Sequence, residues 1–204
     1  MRMLDLFAGR LGWSKAFLER GWEVVAYDLT LPDMEIPKGV DYRLQDILTL
    51  TAEDVSGFDY ACSSSPCESF SLFGLKCFHP NPPYPELGMK LFHHARSILE
   101  TVGVPHCLEN VRSAQKFLGN AVNHFGPFYL WGDSVPPLLP QGITKGTKFG
   151  LDKDGSRTTR KTKDMYYRTG SNSKGRREQT AKVATIPPEL ANCVADYAER
   201  ICAG

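Results

Sequence analysis

A chain of 204 residues is long enough for one well-buried domain with an insertion and too short for two ordinary domains. With 42% hydrophobic and 23% charged residues it has the composition of a globular protein, which excludes a disordered chain. The net charge of +1 conceals an asymmetry, because residues 145–177 hold eleven basic and three acidic side chains, a net +8 that leaves −7 elsewhere.

A single-sign cluster of this size is a candidate anion-binding surface with nucleic acid as the leading partner; a solvated loop is the plainer alternative. No apolar run approaches a membrane span. Met1-Arg2-Met3-Leu4-Asp5 meets a carboxylate before a signal-peptide core forms, so a cytoplasmic protein with no membrane partner is expected. The cysteines at 62, 67, 77, 107, 193 and 202 lack paired short spacing, so neither a disulfide framework nor a zinc ribbon is indicated, and no metal is expected.

Leu4-Asp5-Leu6-Phe7 reads as a short buried strand, and Ala8-Gly9-Arg10-Leu11-Gly12 as the turn after it. A helix opens at Ser14, turns Ala16, Phe17 and Leu18 inward and caps at Gly21. Glu23-Val24-Val25-Ala26-Tyr27 is a second strand stopping at Asp28, and a third precedes Gln45-Asp46-Ile47. Residues 59–63 read as a buried strand running into Ser64-Ser65-Pro66-Cys67. Leu91, Phe92, Ala95, Ile98 and Leu99 give 89–101 helical spacing. His106-Cys107-Leu108 is a short strand ending at Glu109-Asn110. Beyond Trp131-Gly132, Pro136, Pro137, Pro140 and five glycines between 146 and 175 deny residues 133–178 a core of their own. Regularity returns at Thr180, and 188–201 reads as a terminal helix.

The expected organisation is a cofactor-binding and catalytic domain at 1–132, a basic insertion at 133–178, and a segment, 179–204, that returns to the first domain. Alternating strands and helices predict an α/β fold, a Rossmann-like parallel sheet with helices on both faces. Such sheets bind ligands beyond the carboxyl ends of their strands, where Gly9, Asp28, Cys67 and Glu109 fall.

A strand, a glycine turn, a helix, a second strand and a terminal acid make a nucleoside-binding half-sheet. The Gly-x-Gly-x-x-Gly fingerprint is absent, since only Gly9 and Gly12 occupy the turn, and a pyrophosphate needs several backbone amides in close approach. S-adenosylmethionine carries no phosphate and needs a tight turn and an acid for its ribose hydroxyls. Asp28 suits that role, and Asp46 is placed to accept from the adenine amine. Ordinary turn carboxylates on such a sheet would read the same way.

Cys67 differs from the other cysteines. It follows a strand, and Pro66 fixes its own φ while biasing Ser65 towards an extended conformation, which aims the thiol instead of packing it. A following helix N-terminus or a nearby cation would lower its pKa and make it a nucleophile.

Asp5-Leu6-Phe7-Ala8-Gly9 with Gly12, the loop Pro66-Cys67-x-Ser69-Phe70-Ser71, and Glu109-Asn110-Val111 occur in this order, and together they closely resemble the DNA (cytosine-5)-methyltransferases. Val111-Arg112-Ser113-Ala114-Gln115 and Phe128-Tyr129-Leu130-Trp131-Gly132 are similar to the compact phage and prophage branch. Ile186-Pro187-Pro188-Glu189-Leu190-Ala191 is similar to the family's last motif, which closes the cofactor pocket. The resemblance covers residues 1–131 and 180–204.

It implies transfer of a methyl group from S-adenosyl-L-methionine, leaving S-adenosyl-L-homocysteine, to carbon 5 of a DNA cytosine flipped out of its duplex. Cys67 would add to carbon 6, Glu109 would act as the acid at ring N3, and Asn110 would hold the Glu109 loop. Asp5, Phe7, Ala8, Gly9, Gly12, Asp28, Asp46, Ile47, Pro66 and Asn192 would bind the cofactor. Ser69 and Arg112, with Arg157, Arg160, Lys161, Lys163, Arg168, Arg176 and Arg177 of the insertion, would bind DNA. The segment 79–86 would be a lid over the base. The resemblance also implies a monomer on DNA, in a prokaryotic or phage-infected cell, of the kind found in restriction–modification.

The chain departs from the family's pattern in specific places. Leu11 stands where a second glycine is usual, which predicts a wider turn or a different hold on the methionine end of the cofactor. Glu68 replaces the usual glutamine and should raise the Cys67 pKa unless Arg10 or another base neutralises it. No clear Gln-x-Arg-x-Arg motif exists, and only 133–178 remain to read DNA, enough for a short target of about two to four base pairs. Two other readings stay open at this point: a catalytically silent DNA-binding relative, and a methylase acting on a free nucleotide or on RNA. A nicotinamide dehydrogenase fits least, because its phosphate loop is missing.

Overall fold

The computed structural model describes residues 1–71, 85–140, 150–151, 157–158 and 184–203. In chain order the elements are β1 (Arg2–Leu6), α1 (Ser14–Leu18), β2 (Glu23–Asp28), β3 (Val40–Leu44) and a 3-10 helix (Ile47–Thr49). There follow β4 (Tyr60–Ser64), α2 (Glu68–Ser71), α3 (Glu86–Val102), β5 (His106–Val111) and a second 3-10 helix (Arg112–Ala114) running into α4 (Gln115–Leu118). The hairpin β6 (Asn123–Phe125) and β7 (Phe128–Trp131) comes next, and α5 (Pro188–Cys202) is last. Residues 1–140 and 186–204 form one unit; residues 141–185 form a second, in which β8 (Gly150–Leu151) pairs antiparallel with β9 (Arg157–Thr158).

The first unit is built on a Rossmann-like sheet of seven strands in the order β3-β2-β1-β4-β5-β7-β6. The first five strands are parallel, as the alternation predicts; β7 runs antiparallel to β5, and β6 antiparallel to β7. The sheet is therefore mixed. Its strand order reverses between β1 and β4, which opens a crevice beyond their carboxyl ends, the place where α/β sheets of this kind take ligands.

Period-two alternation explains why both faces are covered. Leu4 and Leu6 of β1 and Val25 and Tyr27 of β2 join Phe92, Ala95, Ile98 and Leu99 of α3 in one core. The intervening positions face the other side, where Tyr60 of β4 stacks on Phe17 of α1 with ring centroids 5.8 Å apart, and α1 packs on α5. α3 ends where Gly103 adopts φ +67°, a left-handed cap that needs no Cβ. β5 runs three residues further than the expected 106–108. Glu109 and Asn110 thus sit inside a strand rather than beyond it, with Glu109 opposite Ser64 on one side and Leu130 on the other. Among the described residues, no helix is long and apolar enough to cross a membrane.

Candidate active site

The turn after β1 is tight, not wide. Phe7, Gly9 and Leu11 all take positive φ, at 57°, 47° and 59°, and the Leu11 amide donates to the Ala8 carbonyl at 2.7 Å. Leu11 therefore adopts the conformation a glycine would hold without strain, at a cost of about 1–2 kcal/mol for an L-residue. Its side chain is fully buried in a small cluster with Ala8 and Ala26, which offsets that cost. Gly12 has a different reason to lack a side chain: a Cβ there would meet Ile186 Cβ and N at 2.9 Å. The segment before α5 crosses the turn at this point. Above Gly9, by contrast, a Cβ would meet only the Phe7 carbonyl, at 3.9 Å.

Asp28 closes the turn from the next strand. Its Oδ2 accepts the Gly9 N–H at 3.0 Å, and its Oδ1 accepts the Thr30 N–H at 3.1 Å. The apolar Leu29 beside it is 67% exposed. Asp46 caps the 3-10 helix, its Oδ1 accepting the Leu48 N–H at 3.0 Å. Asp5 is buried, with Oδ2 accepting from the Ser14 hydroxyl at 2.6 Å and from the Ser14 N–H, while Oδ1 has no hydrogen-bond partner among the described residues. Burial pushes Asp5 up to about 7, against the pull of the Ser14 bonds.

The remaining expected cofactor residues divide. Phe7 is half-buried and Pro66 exposed at the crevice, and Ala8 packs beneath the turn. Ile47 is 2% exposed and belongs to the core, so its side chain packs inward. Asn192 on α5 accepts from the Arg20 guanidinium at 2.8 Å, in a cluster with Asp196 that ties α5 to the residues after α1. A tight turn with open space above Gly9, an acid at the end of β2 and an apolar neighbour fit a nucleoside cofactor.

Cys67 lies between β4 and α2, and Glu109 on the adjacent strand is close enough to act on it electrostatically. The thiol is pushed up to about 12, chiefly by burial and then by the charges of Glu68 and Glu109; a hydrogen bond with Ser71 pulls the other way. The expected lowering by a following helix is overridden, because the four-residue α2 offers little against desolvation. Arg10 does not neutralise Glu68, since it pairs with Asp33. Burial likewise pushes the Glu109 carboxyl up to about 8, so it is mostly protonated at neutral pH.

Two serines at the end of β4 hold this pair, and neither stood out in the sequence. Asn110, fully buried, donates its amide to the Ser65 carbonyl and hydroxyl oxygens, both at 3.0 Å, and accepts the Val111 N–H at 2.9 Å. It therefore holds the Cys67 loop to β5, as well as the end of its own strand. Ser64, opposite Glu109 in the strand register, pulls that carboxyl's pKa down against burial and accepts from the Trp13 indole at 2.9 Å.

The expected DNA contacts are only partly placed. Arg112 is exposed just beyond β5. Ser69 is a correction: it is 2% exposed, and a Cβ on Gly88 of α3 would lie 2.5 Å from its own Cβ, so it faces the protein interior. Arg157 begins β9 in the second unit. Arg160, Lys161, Lys163, Arg168, Arg176 and Arg177 lie outside the described residues, as do Cys77 and 79–84 of the expected lid. Among the described residues, no group of three or more His, Cys, Asp or Glu side chains gathers as a metal site.

No known protein family matches the chain, and no curated protein sequence matches it. Solved structures with partial similarity include the Dnmt2 methyltransferase of S. pombe, at 21% identity over 57% of this chain and 38% of that one, with a TM-score of 0.41. The 1,6-didemethyltoxoflavin-N1-methyltransferase of Burkholderia thailandensis is 15% identical over 64% of this chain and 53% of that one, TM-score 0.33. The NAD-dependent NDP-hexosamine 5,6-dehydratase TunA is 24% identical over 51% and 34%, TM-score 0.37. The chain thus spans about half or less of each, and a functional assignment rests on its own residues.

Proposed function

We propose that this chain is an S-adenosylmethionine-dependent methyltransferase acting on carbon 5 of cytosine in DNA, through a temporary bond between Cys67 Sγ and carbon 6. The observation that carries the reading is a thiol, Cys67, in the loop after β4, beside a buried carboxyl on the neighbouring β5, Glu109, which burial pushes up to about 8.

Carbon 5 of cytosine is too weak a nucleophile to take a methyl group unaided. Cys67, its proton passed to solvent, forms the S–C6 bond as the C5=C6 pair shifts towards carbon 4 and N3, where Glu109 delivers its proton. The ring is then an enamine with electron density at carbon 5. The cofactor, which the turn at Gly9 with Asp28 and Asp46 would hold, would supply an electrophilic methyl group to carbon 5 and leave as S-adenosyl-L-homocysteine. Loss of the carbon 5 proton to solvent afterwards re-forms C5=C6, breaks the S–C6 bond and frees the thiolate, while Glu109 recovers the proton from N3. A protonated Glu109 carries no charge, so the acid form that the reaction needs also removes one of the influences holding the thiol up.

The basic insertion supports DNA as the partner, with an affinity that falls steeply with salt as phosphate contacts release counterions. A methyl-labelled cofactor incubated with duplex DNA, RNA or free cytidine nucleotides, followed by digestion to nucleosides, tests the reading. Label in 5-methyldeoxycytidine from duplex DNA is the expected result. Label only in RNA or nucleotide overturns the substrate. Salt-sensitive DNA binding with no label anywhere favours the silent relative, a reading supported by the high resting pKa of Cys67.

A further inference from the structure

Trp13, 1% exposed between the glycine turn and α1, reaches across to β4, and its indole N–H donates to Ser64 Oγ at 2.9 Å. An indole nitrogen only donates, so Ser64 Oγ is the acceptor in that bond and its own proton points elsewhere. The strand register sets Ser64 opposite Glu109, where its hydroxyl is the influence that pulls the carboxyl's pKa down against burial. We propose that Trp13 and Ser64 are positioning residues for Glu109: the indole takes one of the two acceptor sites of Ser64 Oγ and fixes the serine rotamer, with the hydroxyl proton turned to the carboxyl.

The arrangement is hard to leave. If Ser64 turned away, the buried indole N–H would lose its partner, at a cost of about 1–3 kcal/mol. The carboxyl is thereby held in one orientation, a requirement for a group that must present its proton to a ring nitrogen. It is also tuned. Burial favours the neutral acid, whereas a donated hydrogen bond favours the carboxylate, so Ser64 limits how far burial weakens the acid. The titratable groups facing Glu109 are the Cys67 thiol from the loop after β4 and the Cys107 thiol from its own strand. β7 presents the apolar Leu130, and among the described residues burial and Ser64 are the two influences on the carboxyl.

The inference rests on the acid role proposed for Glu109, yet it can be read without turnover. The probe is the carboxyl carbon of Glu109, followed by NMR through a pH titration of the whole chain and assigned with Glu109→Gln. Ser64→Ala is expected to raise the midpoint by about one pH unit, the size of a hydrogen bond to a charged group. Ser64→Thr is expected to keep the wild-type value. Trp13→Phe, which removes the N–H while leaving Ser64 in place, is expected to give a smaller rise. In methyl transfer, the alkaline limb of kcat moves upward with each midpoint, while KM for the cofactor stays constant. An unchanged midpoint in Ser64→Ala, or a shift in Ser64→Thr equal to that in Ser64→Ala, overturns the inference. Absence of methyl transfer by the wild-type chain overturns the function proposed above and leaves the titration to decide the relay alone.

Discussion

The amide of Asn110 donates to the carbonyl and to the hydroxyl of Ser65, at 3.0 Å each, and so fastens the loop that carries Cys67 to the strand that carries Glu109. Both reacting groups proposed here keep their spacing through this one side chain. Asn110→Ala leaves buried backbone groups without partners and is expected to cost about 1–3 kcal/mol in urea unfolding. It should also slow methyl transfer by about a hundredfold, the effect of a small misplacement of reacting groups. Ser65→Ala removes only one of the two acceptors and should cost less in both measurements.

Glu68 is exposed, but its charge is the second influence on the Cys67 thiol after burial. Glu68→Gln is expected to lower the thiol pKa and to increase alkylation of Cys67 at pH 8 several-fold, with the difference shrinking as salt is added. Peptide mapping of the alkylated protein checks this. Cys62 and Cys107, both buried, serve as internal references whose rates should not move.

Leu11 combines a strained backbone with a fully buried side chain. Truncation to alanine keeps the strain and forfeits the packing, at about 2–5 kcal/mol. Truncation to glycine forfeits the same packing but releases the left-handed strain. Leu11→Gly is therefore expected to be more stable than Leu11→Ala, the reverse of the usual order, as denaturant midpoints would show.

Asp5 titrates near 7 because it is buried, well above the ordinary carboxyl range. The folded protein holds that proton after the unfolded chain has released it, so stability falls as pH rises from about 4 to about 7, by up to about 1.4 kcal/mol per pH unit. Asp5→Asn removes this titration while its amide oxygen keeps accepting from Ser14. Unfolding midpoints measured at pH 5 and pH 7 should differ less in the variant than in the wild type.

Much of the parallel sheet was legible because it is written locally. Strands such as Val24-Val25-Ala26-Tyr27 and Tyr60-Ala61-Cys62 are continuous apolar runs, as buried parallel strands require, and Gly21 marks a helix end. The antiparallel hairpin was not legible, since Asn123-His124-Phe125 is three residues long and owes its conformation to pairing with β7. Glu109 and Asn110 read as post-strand residues because a buried acid and amide look like turn chemistry until β4 and β7 are seen to flank them. Gly12 reads as part of a ligand turn, and nothing local in the sequence shows that Ile186, far along the chain, leaves no room for a Cβ there. The Trp13–Ser64 bond spans fifty-one positions and leaves no periodic trace in the sequence. Long-range polar contacts of this kind decide the site, and local pattern carries no record of them.

The bond between Cys67 and the pyrimidine is the most direct point of attack. Fluorine at carbon 5 cannot leave as the proton does, so a 5-fluorocytosine duplex should stop the reaction after methyl transfer, with S–C6 intact. Mass spectrometry of the digested complex, formed in the presence of the cofactor, is expected to place the nucleotide on the peptide containing Cys67 and to find no adduct in Cys67→Ser. An adduct on Cys62 or Cys77, or methylated ordinary cytosine from a protein that forms no adduct with the fluorinated duplex, would contradict the account.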